Sequence, residues 1–183
     1  YADVVQGIQY AVAQKNVYDT SQGTSGININ VMNLSLSAYA TVPYFVDPIN
    51  RAVETAWAGG IVVVAAAGNS GPEAETITVP GNDPYVITVG AINDKRTAGF
   101  WSDDQLPGFS ATGPTLDGFL KPDILAVGTN IVGWMNGNSQ TVAQEHNKHS
   151  ANVSLFRMSG TSTATPIVSS VVALMLQANP NLT

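Results

Sequence analysis

The apolar positions of this chain change period several times, which predicts a series of strands and helices. Residues 61–67 are apolar without alternation and begin with β-branched side chains, as in a strand covered on both faces of a parallel sheet. A similar stretch at residues 85–92 predicts a second buried strand. Residues 28–34 begin with apolar and polar positions in alternation, which predicts another strand. Shorter strands are expected near residues 124–126 and 130–133.

Three stretches have the spacing or composition of helices. In residues 3–15 the apolar side chains recur at helical spacing, and Asp3 is expected to cap the first turn. A second helix is expected to begin after Asp47, because an aspartate followed by proline is a start signal. Residues 166–178 predict a buried helix that stops before Pro180. Strand, helix and strand in this order form a right-handed crossover unit, so an α/β fold is predicted.

Length and charge restrict the classes of function. The chain has 183 residues, of which 44% are apolar and 11% charged, so it is one globular domain or a large piece of one. A net charge of -6 leaves no broad basic surface, and nucleic acid is not expected as a partner. No uninterrupted apolar run reaches the roughly 18 residues of a membrane span, so no membrane partner is expected. Residues 134–153 are polar without a clear period and predict a surface excursion.

A first candidate for chemistry lies directly before the predicted buried helix. Residues 159–166 read Ser-Gly-Thr-Ser-Thr-Ala-Thr-Pro. A serine among small residues at a helix N-terminus is accessible, and the positive end of the helix dipole favours an oxyanion there. Serine and threonine are also preferred at helix starts for structural reasons alone. The string by itself leaves both interpretations open.

A second candidate follows the buried strand at residues 61–67. Residues 65–72 read Ala-Ala-Ala-Gly-Asn-Ser-Gly-Pro and leave the carboxyl end of that strand, where α/β sheets bind ligands. The amide N–H of Asn69 could be directed at a developing oxyanion. Asn-Ser-Gly-Pro is also an ordinary turn signal. Taken alone, Asn69 therefore does not define a site.

Taken together, these strings resemble the subtilisin-like serine proteases, the subtilase family. Residues 160–166 resemble the nucleophile motif, residues 66–69 the oxyanion-asparagine motif and residues 33–37 the substrate-aligning strand. Further matches follow in the family's order: Phe109-Ser110, Gly113-Pro114, Asp117-Gly118 and Lys121-Pro122-Asp123-Ile124. The resemblance implies a three-layer α/β/α fold with a mostly parallel sheet, incomplete in this chain.

The resemblance assigns a role to each of these strings. Ser162 would be the nucleophile and Asn69 the side-chain donor to the oxyanion. The backbone of Ser35, Leu36 and Ser37 would pair with an extended substrate. One wall of the first specificity pocket would be formed by Ala66, Ala67 and Gly68. The implied substrates are polypeptides in extended conformation, and the implied location is extracellular.

Two motifs of the family are missing from the chain. Family members carry a catalytic Asp in an Asp-Thr-Gly or Asp-Ser-Gly turn and a catalytic His in a His-Gly-Thr-His stretch, both ahead of the matched region. The only histidines, His146 and His149, lie in the polar excursion and are expected at the surface. We therefore expect residues 1–183 to be the carboxyl-side portion of one catalytic domain. The Asp and His are expected on an amino-terminal segment or a second chain, and residues 1–183 alone are expected to be inactive.

Smaller departures leave the catalytic groups intact. Thr163 stands where the family usually has Met, Ile167 where it has His, and Val127 where it has Pro. The resemblance also predicts a cis peptide bond between Val79 and Pro80.

Two further expectations concern ions and an alternative function. The implied chemistry requires no cofactor. Calcium is expected at most as a structural ion at Asp123, where a single carboxylate makes a weak cage. The alternative function is a non-catalytic subtilase-like scaffold that binds extended peptides along residues 34–37 without cutting them.

Overall fold

The structure, a computed structural model, describes residues 1–97, 99–135, 141–152 and 154–182. Its helices are α1 (Ala2–Thr20), α2 (Pro48–Ala58), α3 (Thr141–Glu145) and α4 (Thr161–Ala178). Its strands are β1 (Val31–Leu34), β2 (Val62–Ala66), β3 (Ile87–Ile92), β4 (Ile124–Val127), β5 (Ile131–Trp134) and β6 (Leu155–Met158). Short 3₁₀ turns lie at Tyr44–Val46, Trp101–Asp103 and Asn147–His149.

The central sheet contains β1, β2, β3 and β4, all parallel and side by side in chain order. Val64 of β2 lies opposite Asn33 of β1 and Ile87 of β3. Parallel neighbours require a crossover connection, and α2 supplies it between β1 and β2. The predicted α/β fold with a mostly parallel sheet is confirmed.

The pleat of β2 places its side chains alternately in two hydrophobic cores. Val63 and Ala65 belong to a buried cluster with apolar side chains of α1 and α2. Val62 and Val64 pack in a second cluster against buried side chains of α4. Successive side chains of a strand lie on opposite faces, so an unbroken apolar run is buried on both. The sheet therefore lies between α1 and α2 on one face and α4 on the other, which gives three layers.

The start of α2 follows the prediction from its sequence. Asp47 is the N-cap, and its Oδ1 accepts hydrogen bonds from the backbone N–H of Ile49 at 2.8 Å and of Asn50 at 3.2 Å. Pro48 occupies the first helical position, where its missing N–H costs nothing.

The prediction for α1 was too short, and its cap was wrong. The helix continues to Thr20 instead of ending at Lys15. The last turn lacks the apolar periodicity of the earlier turns, but Lys15 and Asp19 form an ion pair at 3.1 Å one turn apart, which supports the helix there. Tyr1 is the N-cap and makes no side-chain cap bond, so Asp3 lies within the first turn instead of capping it.

Helix α4 begins at Thr161, five positions before the predicted start, and contains Pro166. The predicted burial is correct only for its inner face. The outer face leaves large apolar side chains 39 to 64% exposed: Ile167, Val171, Leu174 and Met175. By length and composition α4 could cross a membrane, but it contacts all four strands of the central sheet. One face of α4 therefore packs on the sheet, and 28% of the helix is buried.

The predicted surface excursion at residues 134–153 connects two strands of a hairpin. β5 and β6 pair antiparallel, with Trp134 opposite Leu155, and form a separate two-stranded sheet. The connection contains α3 and the turn Asn147–His149, and its described side chains beyond Met135 are exposed. Residues 136–140 and 153 of the excursion lie outside the described residues. β6 was not predicted, because its four residues carry no clear alternation of apolar and polar side chains.

Candidate active site

Ser162 is the second residue of α4 and is half-buried. The chain enters the helix from β6 through a turn in which the backbone N–H of Gly160 donates to the carbonyl oxygen of Gly128 at 2.8 Å. The first N–H groups of a helix have no acceptor within it. The backbone N–H of Ser162 is therefore available at the positive end of the helix dipole.

Asn69 lies three residues beyond the end of β2, beside the start of α4. Its Oδ1 accepts a hydrogen bond from the backbone N–H of Thr161 at 2.8 Å and another from the Thr161 hydroxyl at 3.1 Å. Both bonds use the amide oxygen, so they fix which way the amide group faces. Among the described residues, none accepts a hydrogen bond from Asn69 Nδ2, which leaves this donor available for a ligand.

Thr161, for which the sequence predicted no role, joins the two candidate strings. Its side chain is fully buried, and its Oγ1 accepts a hydrogen bond from the backbone N–H of Gly68 at 3.2 Å. Three hydrogen bonds thus connect the start of α4 with the end of β2. The sequence did contain one signal for this role, because Thr161 carries a hydroxyl group and directly precedes the candidate nucleophile Ser162.

The two free donors flank one small space. A Cβ atom built at Gly160 would lie 3.4 Å from Asn69 Nδ2 and 3.7 Å from the backbone nitrogen of Ser162. The missing side chain of Gly160 keeps that space open. Asn69 Oδ1 would lie 3.6 Å from the same Cβ atom, but it is engaged by Thr161. Two N–H donors beside one space near a serine are groups that can stabilise an oxyanion.

The segment predicted to align substrate follows β1 directly. Ser35 and Ser37 are exposed, and Leu36 is half-buried against the core shared by α1 and α2. Ala38, the next residue, forms an antiparallel bridge with Val79. In the described part of the chain, the backbone hydrogen bonds outside helices and strands include none from residues 35–37. The geometry suits the predicted pairing with a peptide, which stays a prediction.

The predicted pocket wall is rigid. Ala66, Ala67 and Gly68 are buried, and the Thr78 hydroxyl donates to the Ala67 carbonyl oxygen at 3.0 Å. Gly68 has a φ of +113°, and a Cβ atom there would lie 2.7 Å from the Thr78 side chain, so this position requires glycine. The peptide bond between Val79 and Pro80, which follows Thr78 in the chain, is cis, as predicted. The assigned role as a pocket wall stays a prediction.

Asp123, predicted as a calcium ligand, has a cationic partner within the chain. Its Oδ2 accepts hydrogen bonds from Lys121 Nζ and from the backbone N–H of Thr88, both at 2.7 Å. Lys121 Nζ also donates to the carbonyl oxygen of Val86 at 2.9 Å. Over the described ranges, no three His, Asp or Glu side chains are grouped to hold a metal. The calcium expected at Asp123 from the resemblance is untested, and this donor set, with an ammonium group on Oδ2, does not favour a divalent cation there.

The two histidines lie on the hairpin connection and are exposed, as expected. Their rings are 6.3 Å apart, and the ring of His149 lies 6.0 Å from that of Phe156. Among the described residues, these ring contacts all lie within the hairpin and none involves Ser162.

A second group of buried polar side chains lies under the start of α2. Asn50 Nδ2 donates to Asn82 Oδ1 at 3.1 Å, and the Tyr85 N–H donates to Asp83 Oδ1 at 2.9 Å. Burial raises the pKa of Asp83 to about 6, and the charge of Glu54 adds to the rise. The Tyr85 N–H acts in the opposite direction. Asp83 Oδ2 has no hydrogen-bond partner among the described residues.

These features define a class of protein. A three-layer α/β domain presents a serine and an asparagine amide together, where the carboxyl end of a parallel strand meets the start of a helix. The chain belongs to the subtilase family, whose sequence model matches residues 1–183. The resemblance read from the sequence and the subtilisin-like fold are confirmed.

Comparisons with individual proteins agree with this family assignment. The chain is 43% identical over 182 residues to serine protease AprX of Bacillus subtilis strain 168, with 100% of this chain and 40% of that protein covered. It is 30% identical over 185 residues to subtilisin E of the same strain, with 100% of this chain and 36% of that protein covered. The solved structure of sphericase superposes with a TM-score of 0.70 and 27% identity, covering 99% of this chain and 51% of the other. The chain thus spans 40% or less of these two relatives in sequence.

Proposed function

We propose that this chain is the carboxyl-side part of a serine endopeptidase domain that hydrolyses peptide bonds in proteins. The observation that carries the proposal is the placement of Asn69 Nδ2 and the Ser162 backbone N–H around the open space at Gly160. The relatives support it, since serine protease AprX matches the whole chain.

In the proposed reaction, the Ser162 hydroxyl attacks the carbonyl carbon of the scissile peptide bond. A histidine base takes the hydroxyl proton, and the developing oxyanion accepts hydrogen bonds from the Ser162 N–H and Asn69 Nδ2. As the intermediate collapses, the histidine gives this proton to the leaving amine, which leaves an acyl-enzyme on Ser162 that water hydrolyses. This sequence of steps is the general one for subtilisins and is carried over by family. The base and its orienting Asp would come from a segment or second chain outside residues 1–183.

The proposed substrate is an extended polypeptide. Its backbone would pair with residues 35–37, and one side chain would enter a pocket beside Ala66, Ala67 and Gly68. No residue of this proposed mechanism needs a cofactor, and nucleic acid and membrane have no part in it. We propose an extracellular location, in line with the subtilisins among the relatives.

Active-site labelling tests the proposal. The complete protein that carries this chain should react with a fluorophosphonate, with the label mapped to Ser162 by mass spectrometry. The variant Ser162→Ala should not be labelled, whereas Ser170→Ala, an exposed serine of the same helix, should be labelled like the parent. A complete protein that binds extended peptides but is neither labelled nor able to cut them would instead support the non-catalytic scaffold.

The missing base has a separate test. Residues 1–183 alone should be labelled slowly, because an unassisted hydroxyl is a weak nucleophile. Adding the segment that carries the catalytic Asp and His should restore labelling if the pieces associate. Rapid labelling of the isolated chain, abolished by changing His146 or His149, would show that the base lies within this chain.

A further inference from the structure

The carbonyl oxygen of Ser162 lacks its usual partner within α4. In an α-helix this oxygen accepts a hydrogen bond from the N–H four residues on. That residue is Pro166, which has no N–H to donate. The carbonyl group of Ser162 therefore has no donor within its own helix.

Ser35 supplies that donor. Its hydroxyl donates to the Ser162 carbonyl oxygen at 2.9 Å, across 127 positions of sequence. Ser35 is also the first residue of the segment predicted to pair with substrate. One residue thus contacts the backbone of the nucleophile through its side chain and belongs to the proposed substrate strand through its backbone.

The Ser35 hydroxyl is itself held in place. Asn33 Nδ2 donates to Ser35 Oγ at 2.9 Å, and Ser169 Oγ donates to Asn33 Oδ1 at 2.8 Å. Ser169 lies seven residues after Ser162 on α4, roughly 10 Å along the helix axis. The hydrogen bonds from Ser169 to Asn33, from Asn33 to Ser35 and from Ser35 to Ser162 form a relay that begins and ends on α4.

The Ser35 hydroxyl can donate only one hydrogen bond, which gives this chain of hydrogen bonds a direction. Ser35 Oγ has one proton, and because it accepts from Asn33 that proton is free for Ser162. If the Asn33 amide were reversed, its oxygen would take the Ser35 proton, and the Ser162 carbonyl would lose its donor. In the observed orientation Ser169 donates to Asn33 Oδ1, with the Thr165 carbonyl oxygen as a second acceptor at 3.0 Å, and the Ser35 proton goes to the Ser162 carbonyl oxygen.

We propose that Ser35 and Asn33 are positioning residues that fix the nucleophile relative to the bound substrate. This proposal rests on the proposed protease function. The relay makes the start of α4 and the substrate segment one rigid unit, so the Ser162 hydroxyl and the scissile carbonyl approach in a fixed geometry. Loss of such alignment slows the chemical step more than it weakens binding.

A double-mutant cycle in the complete protein tests whether the Ser35 hydroxyl replaces the backbone N–H that Pro166 lacks. Ser35→Ala should lower kcat about tenfold or more with little change in KM, since an error of about 1 Å in placement can cost 100-fold. Ser35→Thr, which keeps the hydroxyl at an exposed position, should recover most of the rate. In a Pro166→Ala background the restored N–H can serve Ser162, so Ser35→Ala should cost clearly less there.

The controls separate positioning from folding and from the proposed function. Kinetics are normalised by active-site titration, and Ser170→Ala, whose hydroxyl donates to the Pro166 carbonyl at 2.7 Å, should keep the parental kcat. An active parent whose Ser35→Ala variant keeps kcat within about twofold, or loses the same factor in both backgrounds, would overturn the positioning role alone. A parent that a fluorophosphonate does not label would overturn the proposed function and the positioning role together.

Discussion

Asn69 is held against Thr161 by two hydrogen bonds to the same amide oxygen, at 2.8 Å from the backbone N–H and 3.1 Å from the hydroxyl. An asparagine that served only as a turn residue would not need its side chain fixed to the helix that carries Ser162. The two bonds orient Nδ2 before any substrate arrives. Preorganised donors of this kind act on the transition state without a cost of reorganisation.

Asn69→Ala should therefore reduce turnover and leave binding nearly unchanged. We expect kcat in the complete enzyme to fall roughly 10²- to 10³-fold, a magnitude taken from subtilisin and not from the geometry of this chain. KM should barely move, because the lost interaction is made mainly in the transition state. The measurement is steady-state kinetics on a peptide substrate, normalised by active-site titration.

A matched variant separates the donor from the fold. Asn69→Asp keeps an oxygen that can accept both bonds from Thr161 but removes the N–H₂ group. It should fold like the parent and still lose kcat. If either variant kept kcat within about threefold of the parent, Asn69 would be only a turn residue, given the size of effect expected.

The sequence was informative where one local signal decides the structure. Asp47 before Pro48 gave the start of α2, and the unbroken apolar run gave β2 together with its burial on both faces. The start of α4 was misplaced, because a proline usually marks a helix boundary. Here the lost bond of Pro166 is replaced by the Ser35 hydroxyl, 127 positions away from Ser162.

The residues of the candidate site likewise divide into those that the sequence predicted and those that it did not. Motif strings identified Ser162 and Asn69, but neither string reveals that Thr161 binds Asn69. The role of Lys121 was missed for a related reason. Its contacts with Asp123 and the Val86 carbonyl depend on the side-by-side placement of β3 and β4, which periodicity alone does not give.

The pH dependence of stability should contain a contribution from Asp83. Its pKa is raised from 3.8 to about 6, first by burial, so the folded state holds a proton that the unfolded state has released. The contribution is complete below about pH 4 and is lost as the pH rises through about 6. Asp83→Asn should remove this loss and make the protein more stable than the parent above pH 7, by on the order of 2 kcal/mol.

Urea unfolding between pH 4 and 8 measures this effect. Glu73→Gln, which changes an exposed acidic side chain, should leave the pH profile of the parent intact. The difference between Asp83→Asn and parent should grow from pH 4 to 6 and then stay constant. A difference that does not change with pH would mean that Asp83 is ionised in the folded protein.

The Lys121–Asp123 pair should stabilise the domain without calcium. The Lys121 side chain is 4% exposed, and its ammonium group contacts both Asp123 and the Val86 carbonyl oxygen. Lys121→Met should lower the free energy of unfolding by about 1–3 kcal/mol, because it removes the donor of the Val86 carbonyl and the cationic partner of Asp123, which keeps only the Thr88 N–H. Arg51→Met removes a surface pair with Glu54 and should cost less than about 1 kcal/mol.

Calcium itself is tested by thermal unfolding with and without millimolar calcium or a chelator. A ligand present at 100 times its Kd would add about 2.7 kcal/mol of stability, whereas the Lys121 ammonium should keep calcium away from Asp123. We expect no shift in Tm that depends on Asp123. A calcium-dependent rise in Tm that Asp123→Asn abolishes would establish the calcium site.

If Ser162 is the nucleophile as proposed, the side chain of Thr163 should make the complete protein resistant to peroxide. Thr163 follows Ser162 directly, and its hydroxyl donates to the Gly160 carbonyl oxygen at 2.8 Å. Methionine, the usual residue of the family at this position, oxidises to a bulkier and more polar sulfoxide, whereas threonine has no comparable reaction. After peroxide treatment, the parent should therefore keep a larger fraction of its activity than Thr163→Met.

Thr163→Leu supplies the control for size, because leucine is comparable to methionine in volume and does not oxidise. It should resemble the parent in the fraction of activity kept, whatever its starting kcat. Met135 and Met158 lie close to Thr163 around a shared surface cavity, so mass spectrometry must show which methionine carries oxygen in each sample. Loss of activity in Thr163→Met should follow oxidation at position 163 and not at the other two. Equal fractional losses in the parent and in Thr163→Met would show that the residue beside Ser162 does not set the sensitivity to peroxide.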